Sequence, residues 1–208
     1  MTGERRPPVA MTIAGSDSGG GAGIVADLKT FEAHDVWGTT AIVAVTAQNT
    51  LGVQAFETLP PALVRQQIVS VATDIGIGAA KTGMLATAEL VRTVADALEE
   101  VGVPLLVVDP VFVSKHGDTL LADDAVDALR TRLLPLAAVV TPNLPEAAAL
   151  AGMAIGDRDG MVEAARRIEE TGVGTVVVKG GHLEGEDSPD LVWAGGEARW
   201  LEFSSARV

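Results

Sequence analysis

The feature that most constrains this chain is an alternation of short, β-branched apolar runs with longer amphipathic stretches. The runs span residues 9–14, 40–45, 105–108, 137–140 and 175–178. They are apolar on both faces, the pattern of parallel strands covered by helices on both sides. Helix-like stretches lie between them, at 22–34, 61–73, 87–100, 124–134 and 158–171. In 87–100, Leu90, Val91, Val94, Ala97 and Leu98 share one helical face while Glu99 and Glu100 turn to water. Gly102 and Pro104 then end that helix and start the next strand. Strand, helix and strand repeated in this way predict an α/β sheet with right-handed crossovers. Near the end, 190–194 and 198–203 are joined by Gly195-Gly196, a β-hairpin signal. The chain reaches Val208 directly after a strand, an unusual stop for an alternating fold, so a missing last portion is expected. No composition shift or repeat divides residues 1–208, which read as one α/β domain.

Composition narrows the function. Apolar residues make up 48% and charged residues 21%, a globular balance. Fifteen Lys and Arg against 28 Asp and Glu give a net charge of −13. So acidic a chain lacks the electrostatic footprint for nucleic acid or an anionic membrane surface. Small anions such as nucleotides remain possible ligands, because local amides and a few cations hold them. With no cysteine, disulfides, thiolate nucleophiles and cysteine-ligated metals are excluded. His34, His116 and His182 are scattered without ligand-like spacing. Neither a signal-peptide pattern nor an 18-residue apolar span is present, so the expected location is the cytoplasm.

Polar groups recur where strands end. The first is Gly15-Ser16-Asp17-Ser18-Gly19-Gly20-Gly21-Ala22-Gly23, between a strand and a helix. So many glycines let the backbone approach a ligand, and amides at the helix start could receive an anion or a polar ring. The spacing fits neither a dinucleotide fingerprint nor a P-loop. Asp27 lies one turn into the helix, on a mainly apolar stretch. Gln48 and Asn49 follow the second strand, where an amide can donate to and accept from a heterocycle edge, or form a polar turn. Lys81-Thr82-Gly83-Met84 follows a short strand, with Met84 placed to pack on a planar ring or fill core. Asp109-Pro110-Val111 ends the strongest strand, a position suited to Mg²⁺ and phosphate chemistry. Asn143 and Glu146 follow the next strand at the spacing of a helix capping box, which is a sufficient structural explanation for both. Lys179-Gly180-Gly181-His182 follows 175–178. Such a lysine can reach phosphate oxygens, and the glycines free amides for anion contact. Together these groups on one rim point to phosphoryl transfer.

In order, these blocks resemble the hydroxymethylpyrimidine/phosphomethylpyrimidine kinases of thiamine biosynthesis, within the ribokinase-like superfamily. The similar segments are 14–24 with Asp27-Leu28-Lys29-Thr30, Thr46-Ala47-Gln48-Asn49-Thr50, Lys81-Thr82-Gly83-Met84-Leu85, Asp109-Pro110-Val111, Thr141 to Glu146, and Lys179 to His182. The resemblance runs from about residue 9 to 205. It implies a three-layer ribokinase-like fold with a mostly parallel central sheet, helices on both faces and its last elements missing. It implies ATP and Mg²⁺ as cofactors, a small pyrimidine substrate and a homodimer, with no nucleic-acid or membrane partner. Gly15, Asp27, Gln48, Met84 and Val111 would line the pyrimidine pocket, with Gln48 on the aminopyrimidine edge and Asp27 on the hydroxymethyl group. Asp109, Asn143, Glu146, Lys179 and Gly181 would hold the nucleotide phosphates, Asp109 and Glu146 the metal. Lys179 would neutralise charge on the transferred phosphoryl group.

The chain departs from the family in lacking the His-Gly-Thr-Gly-Cys segment, whose amides form an anion hole, and the adenine-side helices after it. Phe112 and His116 are bulkier than expected after Asp109. Two alternatives to the pyrimidine kinase follow. One is a pyridoxal kinase of the same superfamily; the other is a shortened, non-catalytic pyrimidine-binding chain. An NAD-dependent Rossmann dehydrogenase is a more distant one.

Overall fold

The computed structural model describes residues 7–111, 123–180 and 190–201. Among the described residues nine strands form one sheet: β1 (Val9–Gly15), β2 (Trp37–Asn49), β3 (Gly52–Thr58), β4 (Ala79–Thr82), β5 (Leu106–Val108), β6 (Val139–Val140), β7 (Thr175–Val178), β8 (Asp190–Ala194) and β9 (Glu197–Leu201). Their order is β3-β2-β1-β4-β5-β6-β7-β8-β9. The six strands from β2 to β7 in that order pair in parallel, and β3, β8 and β9 are antiparallel additions. The mostly parallel α/β sheet is therefore as expected.

Among the described residues six α-helices connect these strands: α1 (Gly23–Ala33), α2 (Pro61–Asp74), α3 (Ala88–Val101), α4 (Asp123–Ala128), α5 (Leu144–Ala151) and α6 (Arg158–Glu169). The α3 helix starts as its sequence dictates. Thr87 accepts a hydrogen bond from the Leu90 amide, and Gly102 takes a left-handed φ of 66° at the other end. The expected helix 124–134 is shorter: α4 gives way to a π turn at Leu129–Leu133 and a 3₁₀ turn at Leu134–Leu136. Pro135, with no N–H to donate, fits the tighter final turn but not a continuing α-helix.

Register separates the two faces. Thr12, Lys81, Val107, Val139 and Thr175 are lateral neighbours, so they share one face. Asp27 of α1 bonds Thr12 and Lys81, so this is the α1 face. The opposite row is completely buried at Ile13, Thr82, Val108, Val140 and Val176. Trp193, paired with Val176, donates to Glu169 of α6, so α6 covers that side. Right-handed crossovers place α2 to α5 there as well. Burial is unequal. On the α1 face, Val107, Val139 and Thr175 are half-buried, although their strands are apolar on both sides.

The water-facing side of α6 carries a charge network. The Glu163 carboxyl is held down to about 2, first by hydrogen bonds from Arg166 and then from Arg167. Among the described residues no helix is long and apolar enough to cross a membrane.

Candidate active site

Strand order reverses at β1. The chain leaves it for β2 on one side, then returns through α2 to β4 on the other. Ligands of open α/β sheets bind in the crevice that this reversal leaves beyond the carboxyl ends. A cavity of about 600 Å³ opens there. Six residues expected in the site line it: Gly15, Asp27, Gln48, Met84, Asp109 and Val111. An added Cβ on Gly15 would stand 2.7 Å from the Met84 Cε, so glycine is what lets Met84 sit against the backbone here.

The glycine-rich loop is stitched to β2. The Ser16 amide donates to the Ala44 carbonyl at 2.8 Å, and the Ser16 hydroxyl accepts from the Thr46 amide at 3.0 Å. The Ser18 hydroxyl accepts from the Gln48 amide and donates to the Gln48 carbonyl, both at 2.7 Å. Two serine hydroxyls thus continue the pairing past the end of β1, and they fix the backbone that carries Gln48. Part of the loop's amide set is used internally. Buried Asp17 accepts from the amides of Gly19, Gly21 and Ala22 at 2.7, 2.9 and 2.8 Å. An internal carboxylate thus serves three loop amides ahead of α1, while no side chain caps the first turn of α1 itself. Gly23 is required for a different reason. Its φ is +55°, and a Cβ would lie 2.3 Å from the Gly15 carbonyl oxygen.

Gln48 and Asn49 belong to a strand rather than a polar turn. The thirteen-residue β2 pairs with β1 over its first part and with β3 over its last. It therefore projects past the rim as a two-stranded ribbon, and Val53 and Phe56 of β3 line the cavity. β3 lies outside the sequence expectation. Its signal is Asn49 and Gly52 around a short connection, followed by mixed residues too polar to stand out as a run.

A row of charges forms the floor. Lys81 lies inside β4 rather than after it. Its Nζ bonds both Asp27 oxygens, at 2.9 and 3.0 Å, and stands 3.7 Å from Asp109 Oδ2. Thr12 Oγ1 donates to Asp27 Oδ2 at 2.6 Å. Asp109 Oδ1 receives Lys179 Nζ at 3.1 Å and Thr141 Oγ1 at 3.2 Å. Lys81 is absent from the residues expected in the site, although it opens one of the segments similar to the family.

The rim at β6 and β7 is organised differently. Asn143 accepts from the Glu146 amide at 2.9 Å, and Glu146 Oε2 accepts from the Asn143 amide at 2.8 Å. The capping box is thus formed, and neither residue is among those lining the cavity. The Lys179 amide donates to the Pro142 carbonyl at 2.8 Å, which seats Lys179 beside Asn143. Gly181, His182, Phe112 and His116 lie outside the described residues. Among the described residues no group of three or more His, Asp or Glu side chains converges as a metal cage.

A mostly parallel sheet with a switch-point cavity above a carboxylate–lysine row is the architecture this chain shares with solved small-molecule kinases of the ribokinase-like class. The model of the phosphomethylpyrimidine kinase family matches residues 17–207, and the chain belongs to that family. It is 53% identical over 195 residues to a hydroxymethylpyrimidine/phosphomethylpyrimidine kinase from Streptomyces coelicolor, covering 94% of this chain and 72% of that one. The crystal structure of a phosphomethylpyrimidine kinase from Clostridium difficile superposes with a TM-score of 0.87 at 42% identity, over 94% of this chain and 84% of the other. A Bacillus subtilis pyridoxal kinase solved with ADP gives a TM-score of 0.87 at 40% identity, over 95% and 75%.

Proposed function

We propose that this chain transfers the γ-phosphoryl group of ATP to 4-amino-5-hydroxymethyl-2-methylpyrimidine, and then to its monophosphate. The observation that carries this reading is the cavity that Gln48 shares with Asp27, Lys81 and Asp109, with Lys179 bonded to Asp109 beside it. The Gln48 side-chain amide offers a donor and an acceptor to the aminopyrimidine edge. Gly15, Met84 and Val111 form the apolar wall for the ring, and Asp27 faces the hydroxymethyl group. Phosphoryl transfer needs positioning and charge neutralisation rather than covalent help from the protein. In this reading Lys179, half exposed beside Asp109, takes up charge on the moving phosphoryl group.

Magnesium supplies charge neutralisation between phosphate oxygens, and commonly takes only one or two protein carboxylates. Asp109 fits this demand, being partly exposed at the cavity wall. Glu146 fits less directly: it is buried and its Oε2 holds the Asn143 amide. We assign Asp109 to the metal, and Asn143 and Glu146 to the shape of the turn beside Lys179. A homodimer in the cytoplasm completes the reading. Exposed Val45, Leu51 and Phe56 on the β2–β3 ribbon support a dimer, which a light-scattering mass of two chains would verify.

The test is ADP release by the purified 208-residue chain with Mg²⁺-ATP and the pyrimidine, alongside pyridoxal. The pyrimidine should be the better substrate by kcat/KM. The likeness to the pyridoxal kinase favours the second reading only if pyridoxal is turned over faster.

A further inference from the structure

We infer that Lys81 is a positioning residue that fixes Asp27 and sets the charge of the cavity, so that a phosphorylated substrate is admitted. The second half of this inference rests on the function proposed above. Lys81 comes from β4, next to β1, and is paired in register with Thr12. Both side chains rise on the α1 face and both meet Asp27. Two adjacent central strands therefore grip one helix-borne carboxylate by three hydrogen bonds. The Lys81 and Asp27 side chains are only 26% and 15% exposed. An ion pair so sheltered is screened far less than one on the surface.

Charge explains the rest. The charged residues lining the cavity are Asp17, Asp27, Asp109 and, among the described residues, the single cation Lys81. Asp17 is satisfied by three backbone amides. Asp27 and Asp109 are not, and Lys81 Nζ stands between them, with Lys179 on the far oxygen of Asp109. Removing Lys81 leaves two carboxylates facing one ligand space with one cation at its edge. A phosphate monoester carries about −1.5 to −2 charges at neutral pH, so it would suffer from that surplus far more than the neutral alcohol.

The test compares wild type, Lys81→Met and Lys81→Arg on the alcohol and its monophosphate, with kcat and KM measured separately. Lys81→Met should raise KM for the monophosphate about tenfold more than for the alcohol, and Lys81→Arg should recover most of that difference. Urea midpoints of Lys81→Met, Asp27→Asn and the double variant give a readout independent of turnover. The double variant should lie closer to wild type than Lys81→Met does, because it removes both members of the pair. Equal KM changes for the two substrates would overturn the admission role, and additive midpoint losses would overturn the grip on Asp27. Coupled midpoints in a wild-type chain that neither binds nor phosphorylates the pyrimidine would support that grip and overturn the functional reading instead.

Discussion

The two rims of the sheet use the same device to opposite ends. At the β1–β2 rim, Asp17 gathers three loop amides; at the β6–β7 rim, Asn143 and Glu146 cap α5 reciprocally. In both places a buried carboxylate satisfies backbone donors at or before a helix start. At the first rim this leaves a cavity whose ligand-facing groups are side chains from four other places: Gln48, Asp27, Lys81 and Asp109. At the second it leaves one half-exposed cation, Lys179, reaching across to Asp109. A polar cluster at a strand end is therefore not yet a binding site. What matters is which groups remain after the backbone has taken its share.

Substitutions can break that contrast. Gly23→Ala should have the largest effect. It puts a side chain at φ +55° against a backbone carbonyl, and should cost at least about 3 kcal/mol of stability by urea titration. Lys179→Ala should leave folding intact and lower kcat/KM about 10²- to 10³-fold, as loss of a group that neutralises transition-state charge does. An equal loss of stability would place Lys179 in the structural rather than the functional half of the comparison. Asp17→Ala strands three amides and should cost about 2–3 kcal/mol. If ATP affinity rose instead, the loop amides would be an anion site after all. Asn143→Ala should cost only about 1 kcal/mol, the usual value of a helix cap.

The smallest effect lies away from both rims. The Glu163 carboxyl sits at about 2 in the folded chain against an ordinary 4.5. Its stabilising contribution is present above pH 4.5 and fades as pH falls toward 2. Glu163→Gln should narrow the gap between midpoints at pH 5 and at pH 2.5, slightly and only at low salt.

Much of the fold was legible because the strands bury β-branched runs and the helices carry faces of matching period. Val176 and Val178 illustrate the first, and Leu90, Val94 and Leu98 the second. β3 was not, since Gln54, Ala55 and Glu57 are exposed on a two-stranded ribbon and need no apolar run. Gln48 could be placed at a strand's end, but not inside a ribbon, for the same reason. Of the six expected cavity residues, Gly15, Gln48 and Asp109 were legible as small or polar groups at strand ends, while Asp27, Met84 and Val111 rested chiefly on the family resemblance. Lys81 escaped because its partners, Asp27 and Asp109, lie 54 and 28 positions away in sequence (81 − 27 and 109 − 81), and only register brings them together. The role of Asp17 escaped too: a carboxylate within a glycine-rich loop looks the same whether it faces a ligand or its own amides.

The most direct measurement is calorimetric titration of the hydroxymethylpyrimidine into the wild-type chain and into Gln48→Ala. The account predicts one saturable site per chain, with affinity lowered by about 1–3 kcal/mol in the variant as buried hydrogen bonds are lost. Undiminished affinity in Gln48→Ala, or no saturable binding by the wild-type chain, would contradict it.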